Sequence, residues 1–422
     1  MRGYTLKARS FLVVACLVVP AVVVSACGDS GSGGSGGGGS VSGKNLTIYS
    51  SLPLQGTSRD QSLAVINGEK LALDKVGGKV GDYKIKYVSL DDSTAQNPGT
   101  ADESQTQQNA RKAIRDKTTI FYLGEFNSGG TKVSLPILNK GGIPQISPSN
   151  TYVGLTTDEP GSEAGEPDKY YPTKKRTYAR VVPRDKIQGA ALATVMKEDG
   201  CKTVDIWNDK TTYGAGIAKN IELSVKSQGM TVGNKAGTDR NSPNYKSAAS
   251  NVKGDCFIWG GVTGENGVQV YKDVAAANST AKLYGPDGVA EQAFTDPKKG
   301  GVPADVGARL KITVATLGVK DLPSASGVLD SFKQKYGVST VDPYAIYGYE
   351  TMALALDTLK RAGDKAGDRA AVVKELFNTK GRQGVIGTYD IDANGDTTLT
   401  DYGLYTVKGG LPTYEKKIVA AK

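Results

Sequence analysis

Residues Phe121 to Thr151 read FYLGEFNSGGTKVSLPILNKGGIPQISPSNT, and this stretch decides the fold class. Two short apolar runs, at Ile120–Leu123 and Ile143–Ile146, are separated by a segment long enough for a helix. A loop rich in hydroxyl, amide or glycine residues follows each run, which is typical of a strand end. The pattern predicts a strand–helix–strand unit. Because parallel sheets bind ligands outside the carboxyl ends of their strands, we expect a small-anion site here, suited to a carboxylate.

The same alternation of short strands and amphipathic helices begins at Leu46 and runs in two series, separated by a polar excursion at 152–177. A chain of 422 residues is also long for a single core. A helical region follows from Ser324 to Phe377, and beyond Gln383 the pattern predicts only short strands and turns. The sequence therefore predicts an α/β protein with two doubly wound parallel-sheet lobes.

The first 27 residues have the pattern of an export signal. Basic residues precede an apolar run from Phe11 to Val24 that is too short and interrupted for a membrane span. The segment Val24-Ser25-Ala26-Cys27 resembles a bacterial lipobox, in which the cysteine is acylated, and Gly28 to Gly43 predicts a flexible glycine and serine tether. A plain secretory peptide is the alternative. The tether favours a protein anchored through Cys27 at the outer face of the cytoplasmic membrane.

The composition argues against catalysis and against nucleic-acid binding. The chain has no histidine, which removes the usual general base, the imidazole metal ligand and any Ser–His–Asp triad. Its net charge is +9, but the basic residues are scattered among acidic ones, as on an ordinary solvated surface. We therefore expect no enzyme, no cofactor, no metal and no nucleic-acid partner.

Two cysteines remain if Cys16 is removed with the signal and Cys27 is lipidated. Cys201 and Cys256 each precede a predicted strand of the second series, and the compartment is oxidising. We expect a disulfide between them, with two buried free thiols as the alternative.

Acidic residues near the C-terminus have a spacing similar to that of an EF-hand loop: Asp390, Asp392, Asn394, Asp396 and Asp401. Their flanks have the pattern of strands rather than helices, and Asn-Gly is a strong turn signal. We therefore expect a hairpin turn rather than a calcium site.

Several segments taken together resemble the branched-chain amino-acid-binding (leucine/isoleucine/valine-binding-like) lipoproteins of ABC importers, which have the type I periplasmic-binding-protein fold. The resemblance covers nearly everything after Asn45 and depends on the order and spacing of the segments. These are 51–56 (SLPLQG), 91–92 (DD), 146–151 (ISPSNT), 182–185 (VPRD) with 188–189 (QG), 208–210 (NDK) with 213–214 (YG), 260–261 (GG), 284–288 (YGPDG) and 392–396 (DANGD).

The resemblance implies two lobes joined by three hinge crossings, which we place near Val182, Leu317 and Thr400. The predicted organisation is a signal peptide and lipobox at 1–27, a tether at 28–43, the first lobe at 44–182 and 317–400, and the second lobe at 183–316 with the tail 401–422.

The same resemblance implies a binding site for an amino-acid zwitterion between the lobes. Ser128 and Thr151 match the family's carboxylate-binding hydroxyls, and Ser149 contributes backbone groups; helix N-capping is the alternative role for the serine and threonine hydroxyls. Asp287 matches the acidic partner of the ligand ammonium, although Pro-Asp-Gly is also a turn sequence. Tyr213 matches an aromatic residue that closes over the ligand. Three residues match the family's specificity pocket: Leu52, Val262 and Tyr344.

The function that this resemblance implies is capture of an amino acid, branched-chain or related, and its delivery to an ABC permease by a monomeric, lipid-anchored binding protein. Val262 departs from the aromatic residue often found there, and Thr263 and Glu265 follow it, which argues against a purely aliphatic ligand. A ligand-sensing receptor subunit for small amino-acid or amide ligands is the alternative, because fold alone does not determine function. An exported hydrolase would need a Ser–Lys or carboxylate pair in the cleft.

Overall fold

The stretch from Phe121 to Thr151 forms the strand–helix–strand unit that its pattern predicts. The computed structural model describes residues 39–420, so the signal, the lipobox and most of the tether lie outside the described residues. The first strand of the unit is buried at every position, as expected where helices cover both faces of a parallel sheet. Its two strands pair in parallel, with Tyr122 opposite Gln145.

A six-stranded sheet, with strand order β2-β3-β1-β4-β5-β6, organises the first lobe. Its elements are β1 (Asn45–Leu52), α1 (Arg59–Lys75), β2 (Lys79–Val80), β3 (Tyr83–Asp91), α2 (Glu103–Arg115), β4 (Thr119–Gly124), α3 (Ser128–Lys140), β5 (Gln145–Ser147) and β6 (Tyr178–Arg180).

A seven-stranded sheet organises the second lobe, in the order β15-β14-β11-β10-β9-β7-β8 once the last two strands of the chain are added. Its first elements are α4 (Asp185–Glu198), β7 (Thr203–Asn208), α5 (Thr212–Ser227), β8 (Thr231–Gly237), α6 (Lys246–Ala249), β9 (Cys256–Gly260), α7 (Gly267–Ala277), β10 (Lys282–Gly285), α8 (Gln292–Thr295), α9 (Ala304–Ala308) and β11 (Leu310–Val314).

The chain then returns to the first lobe, where a long helix packs along α1 and against β4 and β5, before it joins the second sheet again. The remaining elements are α10 (Ser326–Tyr336), α11 (Ala345–Ala362), α12 (Arg369–Phe377), the small hairpin β12 (Arg382–Gly384) and β13 (Gly387–Tyr389), and finally β14 (Tyr402–Lys408) and β15 (Leu411–Ile418).

Within the described residues the chain therefore passes between the lobes three times: after β6, after β11 and before β14. This is the expected architecture of two α/β lobes with three crossings. The residue numbers at which we place the lobe boundaries stay predictions.

The edges of the two sheets differ from the all-parallel expectation. β2 pairs antiparallel with β3, and β14 pairs antiparallel with both β11 and β15. Beyond Gln383 the described chain forms only strands and turns, of which β14 has seven residues and β15 eight. Gly409 and Gly410 connect these last strands with φ angles of 59° and 82°, the left-handed backbone that a tight hairpin requires, and a short turn of this kind can only join antiparallel strands.

The sulfur atoms of Cys201 and Cys256 are joined in the structure, with Cα atoms 5.9 Å apart, inside the range for a disulfide. Cys201 precedes β7 and Cys256 begins β9, and these two strands are neighbours. The pairing links two adjacent strand starts of the second lobe.

The acidic segment near the C-terminus forms a turn closed by a bridge between Ile391 and Thr397. Asp396 forms ion pairs with two arginines there: Arg180 Nε donates to its Oδ1 at 2.6 Å, and Arg184 Nη1 donates to its Oδ2 at 2.9 Å. Arg180 is fully buried, so Asp396 serves as its counter-ion next to the first crossing.

Candidate functional site

One small cavity lies where the carboxyl ends of strands from both lobes meet. Six of the residues predicted from the sequence line it: Ser128, Ser149, Tyr213, Val262, Asp287 and Tyr344. Its volume is about 30 Å³, enough for roughly two water molecules. The lobes are therefore closed on each other around the site, and a larger ligand requires them to separate.

The two loops that follow β4 and β5 form one rigid wall of the cavity. Asn150 Nδ2 donates to the carbonyl oxygens of Glu125 and Phe126 at 3.0 and 2.9 Å. Ser149 Oγ donates to the Phe126 carbonyl at 2.7 Å, and Ser147 Oγ donates to that of Glu125 at 2.9 Å. These side chains connect the loops to each other, so the wall keeps its shape without a ligand.

Ser128 lies at the first position of α3, with only 2% of its surface exposed. The cap position is Asn127, so Ser128 is not the helix cap. Its hydroxyl makes no hydrogen bond with any other residue of the described chain. The first N–H groups of a helix lack intrahelical acceptors and carry partial positive charge. Together with the Ser128 hydroxyl they suit a carboxylate, as the sequence predicts.

Asp287 lies opposite this helix start, in the turn after β10, and is 7% exposed. Its Oδ1 accepts a hydrogen bond of 2.7 Å from the Tyr213 hydroxyl, and its Oδ2 accepts one of 2.5 Å from the Tyr344 hydroxyl. Burial raises the pKa of Asp287, and the two tyrosine hydroxyls partly counter that rise. A cation bound here would restore the charge balance of this desolvated carboxyl.

Tyr213 belongs to α5 of the second lobe, whereas Tyr344 directly precedes α11 of the first. The hydrogen bond from Tyr344 to Asp287 therefore crosses between the lobes. The sequence predicts Tyr344 only as a side-chain contact for the ligand, so this bond to the carboxylate adds a role that the sequence does not indicate.

Gly288 has no side chain, which allows the Tyr213 ring and the Gly261 carbonyl to lie close to the backbone next to Asp287. Its backbone N–H donates to the Tyr213 hydroxyl at 3.2 Å. A Cβ atom at this position would lie 2.4 Å from the Gly261 carbonyl oxygen and 2.8 Å from the Tyr213 ring. A larger residue would push the tyrosine away from Asp287.

Two predicted site residues do not line the cavity. Leu52 ends β1 and is fully buried in the core of the first lobe. Thr151 is also absent from the cavity lining: its carbonyl accepts from the Asp185 backbone N–H at 2.8 Å, and its hydroxyl is buried without a hydrogen-bond partner among the described residues. Leu52 is the last residue of β1 and Thr151 lies at the end of the loop after β5, so both lie near strand ends without lining the cavity.

Sequence reasoning missed half of the cavity lining. Gln61 lies in the first turn of α1, after the β1 loop, and the rule that ligands bind at strand ends could have indicated it. Phe126 packs on the Tyr344 ring, with centroids 5.5 Å apart. The missed lining residues are Ser58, Gln61, Phe126, Asn127, Gly288 and Glu291.

Polar contacts between the lobes also flank the cavity. Arg240 of the second lobe donates to Asn97 of the first at 3.3 Å while it pairs with Glu265 at 3.0 Å. On the other flank, Lys299 lies 3.5 Å from Asp60. The Lys299–Asp60 pair is exposed and the Arg240–Asn97 hydrogen bond is long, so both contacts are individually weak and permit the lobes to separate at little cost.

No helix in the part of the chain that the structure describes has both the length and the hydropathy for a membrane crossing.

The family model described as "Periplasmic binding protein" matches residues 47–411. The chain is 23% identical to the leucine-, isoleucine-, valine-, threonine- and alanine-binding protein of Pseudomonas aeruginosa, over 79% of this chain and 81% of that protein.

Two solved structures have the same fold. The leucine-binding protein of Thermotoga maritima superposes with a TM-score of 0.75 at 21% identity, covering 88% of this chain and 98% of that one. A solute-binding protein of R. palustris in complex with benzoate superposes with a TM-score of 0.72 at 19% identity, covering 90% of this chain and 98% of that one. Because the family model spans most of the sequence, this chain belongs to the periplasmic binding protein family.

Proposed function

We propose that the protein captures an amino acid, branched-chain or related, between its two lobes and delivers it to an ABC permease. The observation that carries this proposal is that one cavity has groups suited to an anion on one wall and a carboxyl suited to a cation on the other. The α3 N-terminus with Ser128 suits a carboxylate, and Asp287 suits an ammonium. A free amino acid carries both groups on one carbon atom.

Closure follows from the way the site is divided. Ser128 and Tyr344 belong to the first lobe, and Asp287 and Tyr213 belong to the second. Only a closed cleft lets a ligand contact both, so ligand binding shifts the population toward the closed form. The protein then presents a ligand-dependent shape to its permease and performs no chemistry on the ligand.

Support for the ligand class comes from the relatives, since the Pseudomonas aeruginosa protein is named for binding leucine, isoleucine, valine, threonine and alanine, and the Thermotoga maritima protein for binding leucine. The benzoate complex of another protein of this fold places a carboxylate ligand in the same family. A ligand carboxylate is common to all of them, in agreement with the Ser128 wall.

The test is isothermal titration calorimetry of the purified full chain with a panel of free amino acids, comparing wild type with Asp287→Asn. The variant keeps the shape of the side chain but removes its charge, so we expect affinity to fall by about a hundredfold. Asp330→Asn, on the exposed face of α10, is the matched control and should bind as wild type does.

Folding of the variant is checked by its melting curve. Asp287 is a buried acid with a raised pKa, so its ionisation costs stability above the ordinary pKa of aspartate. Asp287→Asn removes that cost, and the empty variant should melt no earlier than wild type at pH 7. Equal affinity in the two proteins would refute the role of Asp287.

The lipid anchor and the monomeric state are further parts of the proposal. The anchor is supported by the Val24-Ser25-Ala26-Cys27 segment and by the glycine and serine tether that follows it. Metabolic labelling with a radioactive fatty acid should mark the wild-type protein and leave Cys27→Ser unlabelled and released into the medium. Labelling of the serine variant would exclude an anchor at this position.

A further inference from the structure

Glu291 lines the ligand cavity but takes no part in the interactions that define it. The residue is 5% exposed, and neither carboxylate oxygen has a hydrogen-bond partner among the described residues. It precedes α8 and does not cap that helix with its side chain. A buried carboxylate without donors is costly, so a structural role does not account for it.

A second cavity, of about 340 Å³, adjoins the first. Gln61 and Glu291 line both cavities, so they form the boundary between them. Gln61 Nε2 contacts the Asp342 carboxylate at 3.4 Å and the Ala290 carbonyl at 3.5 Å, which are weak hydrogen bonds. A ligand side chain that displaces Gln61 would extend from the Asp287 cavity past Glu291.

The walls of this second cavity are acidic and aromatic. The carboxylates of Asp60, Glu291 and Asp342 line it, and Lys299 is the one cation among its lining residues. Lys299 lies 3.5 Å from Asp60 and so offsets part of one charge only. The aromatic rings of Phe332 and Tyr336 complete the wall, and such rings attract cations.

We propose that the ligand is an amino acid whose side chain ends in a cation, with Asp287 holding its α-ammonium and Glu291 holding the second positive group. The inference rests on the proposed function and narrows its ligand class. A desolvated ammonium requires a charged acceptor, and Glu291 is the buried carboxylate without donors that the cavity supplies. An aliphatic side chain would leave that carboxyl buried without a hydrogen-bond partner.

Burial raises the pKa of Glu291 to about 8, and the charges of Asp342 and Asp60 add to the rise. The nearby Thr263 hydroxyl opposes the rise in part, although it does not meet the geometry of a hydrogen bond to Glu291. In the empty site Glu291 therefore holds a proton at neutral pH. A cation favours the ionised form, so binding releases that proton. Affinity for such a ligand should increase with pH from 6 to 8. Asp342, with a pKa raised to about 6, ionises at the start of this range.

The experiment compares lysine with norleucine, and ornithine with norvaline, by calorimetry on the purified full chain at pH 6, 7 and 8. Each pair differs only in its terminal ammonium. We expect the diamino acid of the better-fitting length to bind about ten- to a hundredfold more tightly than its apolar partner, because a hydrogen bond to a charged group contributes that much.

Glu291→Gln should remove this preference, so that lysine and norleucine bind the variant with affinities within about threefold of each other. Glu103→Gln is the matched control, since Glu103 is exposed and lines the opposite side of the cleft, and it should keep the preference. Asp287→Asn should weaken both members of each pair.

The outcomes separate the two proposals. If norleucine binds wild type as tightly as lysine does, or if Glu291→Gln leaves their ratio unchanged, the role of Glu291 is refuted while amino-acid capture stands. If wild type binds neither member of either pair, the role of Glu291 is refuted, and the panel of free amino acids decides separately whether amino-acid capture stands. The comparison of ligands on the unchanged protein does not depend on whether a variant folds.

Discussion

The Tyr344 hydroxyl lies 2.5 Å from Asp287 Oδ2 and joins the two lobes through the carboxyl group that we assign to the ligand ammonium. Tyr213 donates to the other oxygen of the same carboxyl at 2.7 Å, from within the second lobe. In the empty closed protein the two tyrosines thus occupy the hydrogen-bonding positions that an ammonium would use. A bound ligand would have to compete with them.

Tyr344→Phe should shift the empty protein toward an open form. The substitution removes one hydrogen bond between the lobes, worth about 1–2 kcal/mol, so the ratio of closed to open protein should fall by roughly tenfold. Small-angle X-ray scattering of the ligand-free variant should show a larger radius of gyration than wild type.

Tyr213→Phe is the matched control, because it removes a hydrogen bond to the same carboxyl without breaking a contact between lobes. Its radius of gyration should match that of wild type. Equal expansion in both variants would mean that the Asp287 network as a whole, and not the bond between the lobes, controls closure.

Loss of the cysteine pairing should destabilise the second lobe. Cys201 and Cys256 are separated by 55 residues, and closing a loop of that length contributes about 4 kcal/mol in the chain-entropy account. Reduction with dithiothreitol should lower the denaturant concentration at the unfolding midpoint of wild type. It should not change the midpoint of the double variant Cys201→Ser/Cys256→Ser. Two thiols that react in the unfolded, unreduced protein would contradict the disulfide.

Glu69 should make the protein less stable as the pH rises. Burial raises its pKa from the ordinary 4.5 to about 8, with the Tyr87 hydroxyl as its donor at 2.5 Å. Between these values the native state binds a proton that the unfolded chain has lost. The free energy of unfolding therefore falls with increasing pH by about 1.4 kcal/mol per unit on account of this group.

Glu69→Gln should flatten that slope, measured by urea unfolding at pH 5, 6, 7 and 8, because the amide does not titrate and can still accept from Tyr87. Other buried acids contribute slopes of the same sign, so the difference from wild type is the informative quantity. Glu103→Gln, at an exposed position, should leave the slope unchanged.

Asp396→Asn should lower the free energy of unfolding by about 3–5 kcal/mol, since it leaves the buried guanidinium of Arg180 without its counter-ion. Asp401→Asn is the control from the same acidic segment, because its ion pair with Lys417 is exposed and worth about 1 kcal/mol or less.

Addition of millimolar calcium should not change the melting temperature of the wild-type protein. If calcium raised the melting temperature of wild type and of neither variant, the acidic segment would instead be an ion site.

Much of the fold could be predicted from local patterns. The strand–helix–strand unit at 119–147 follows from apolar runs of strand length and from loop residues that end them, and these signals act over a few residues. The antiparallel edge formed by β14 and β15 could not be predicted in the same way, because a strand pattern does not specify its partner.

The candidate site likewise has some features that the sequence predicts and others that only the tertiary structure gives. The sequence by itself determined that hydroxyl groups such as Ser128 follow one pair of strands and that the acid Asp287 follows another, because strand ends and turns are encoded locally. Only the tertiary structure decided that Tyr344 reaches Asp287 from the other lobe and that Glu291 is buried without a partner. Such contacts depend on how the two lobes close on each other, and no short stretch of sequence specifies that geometry.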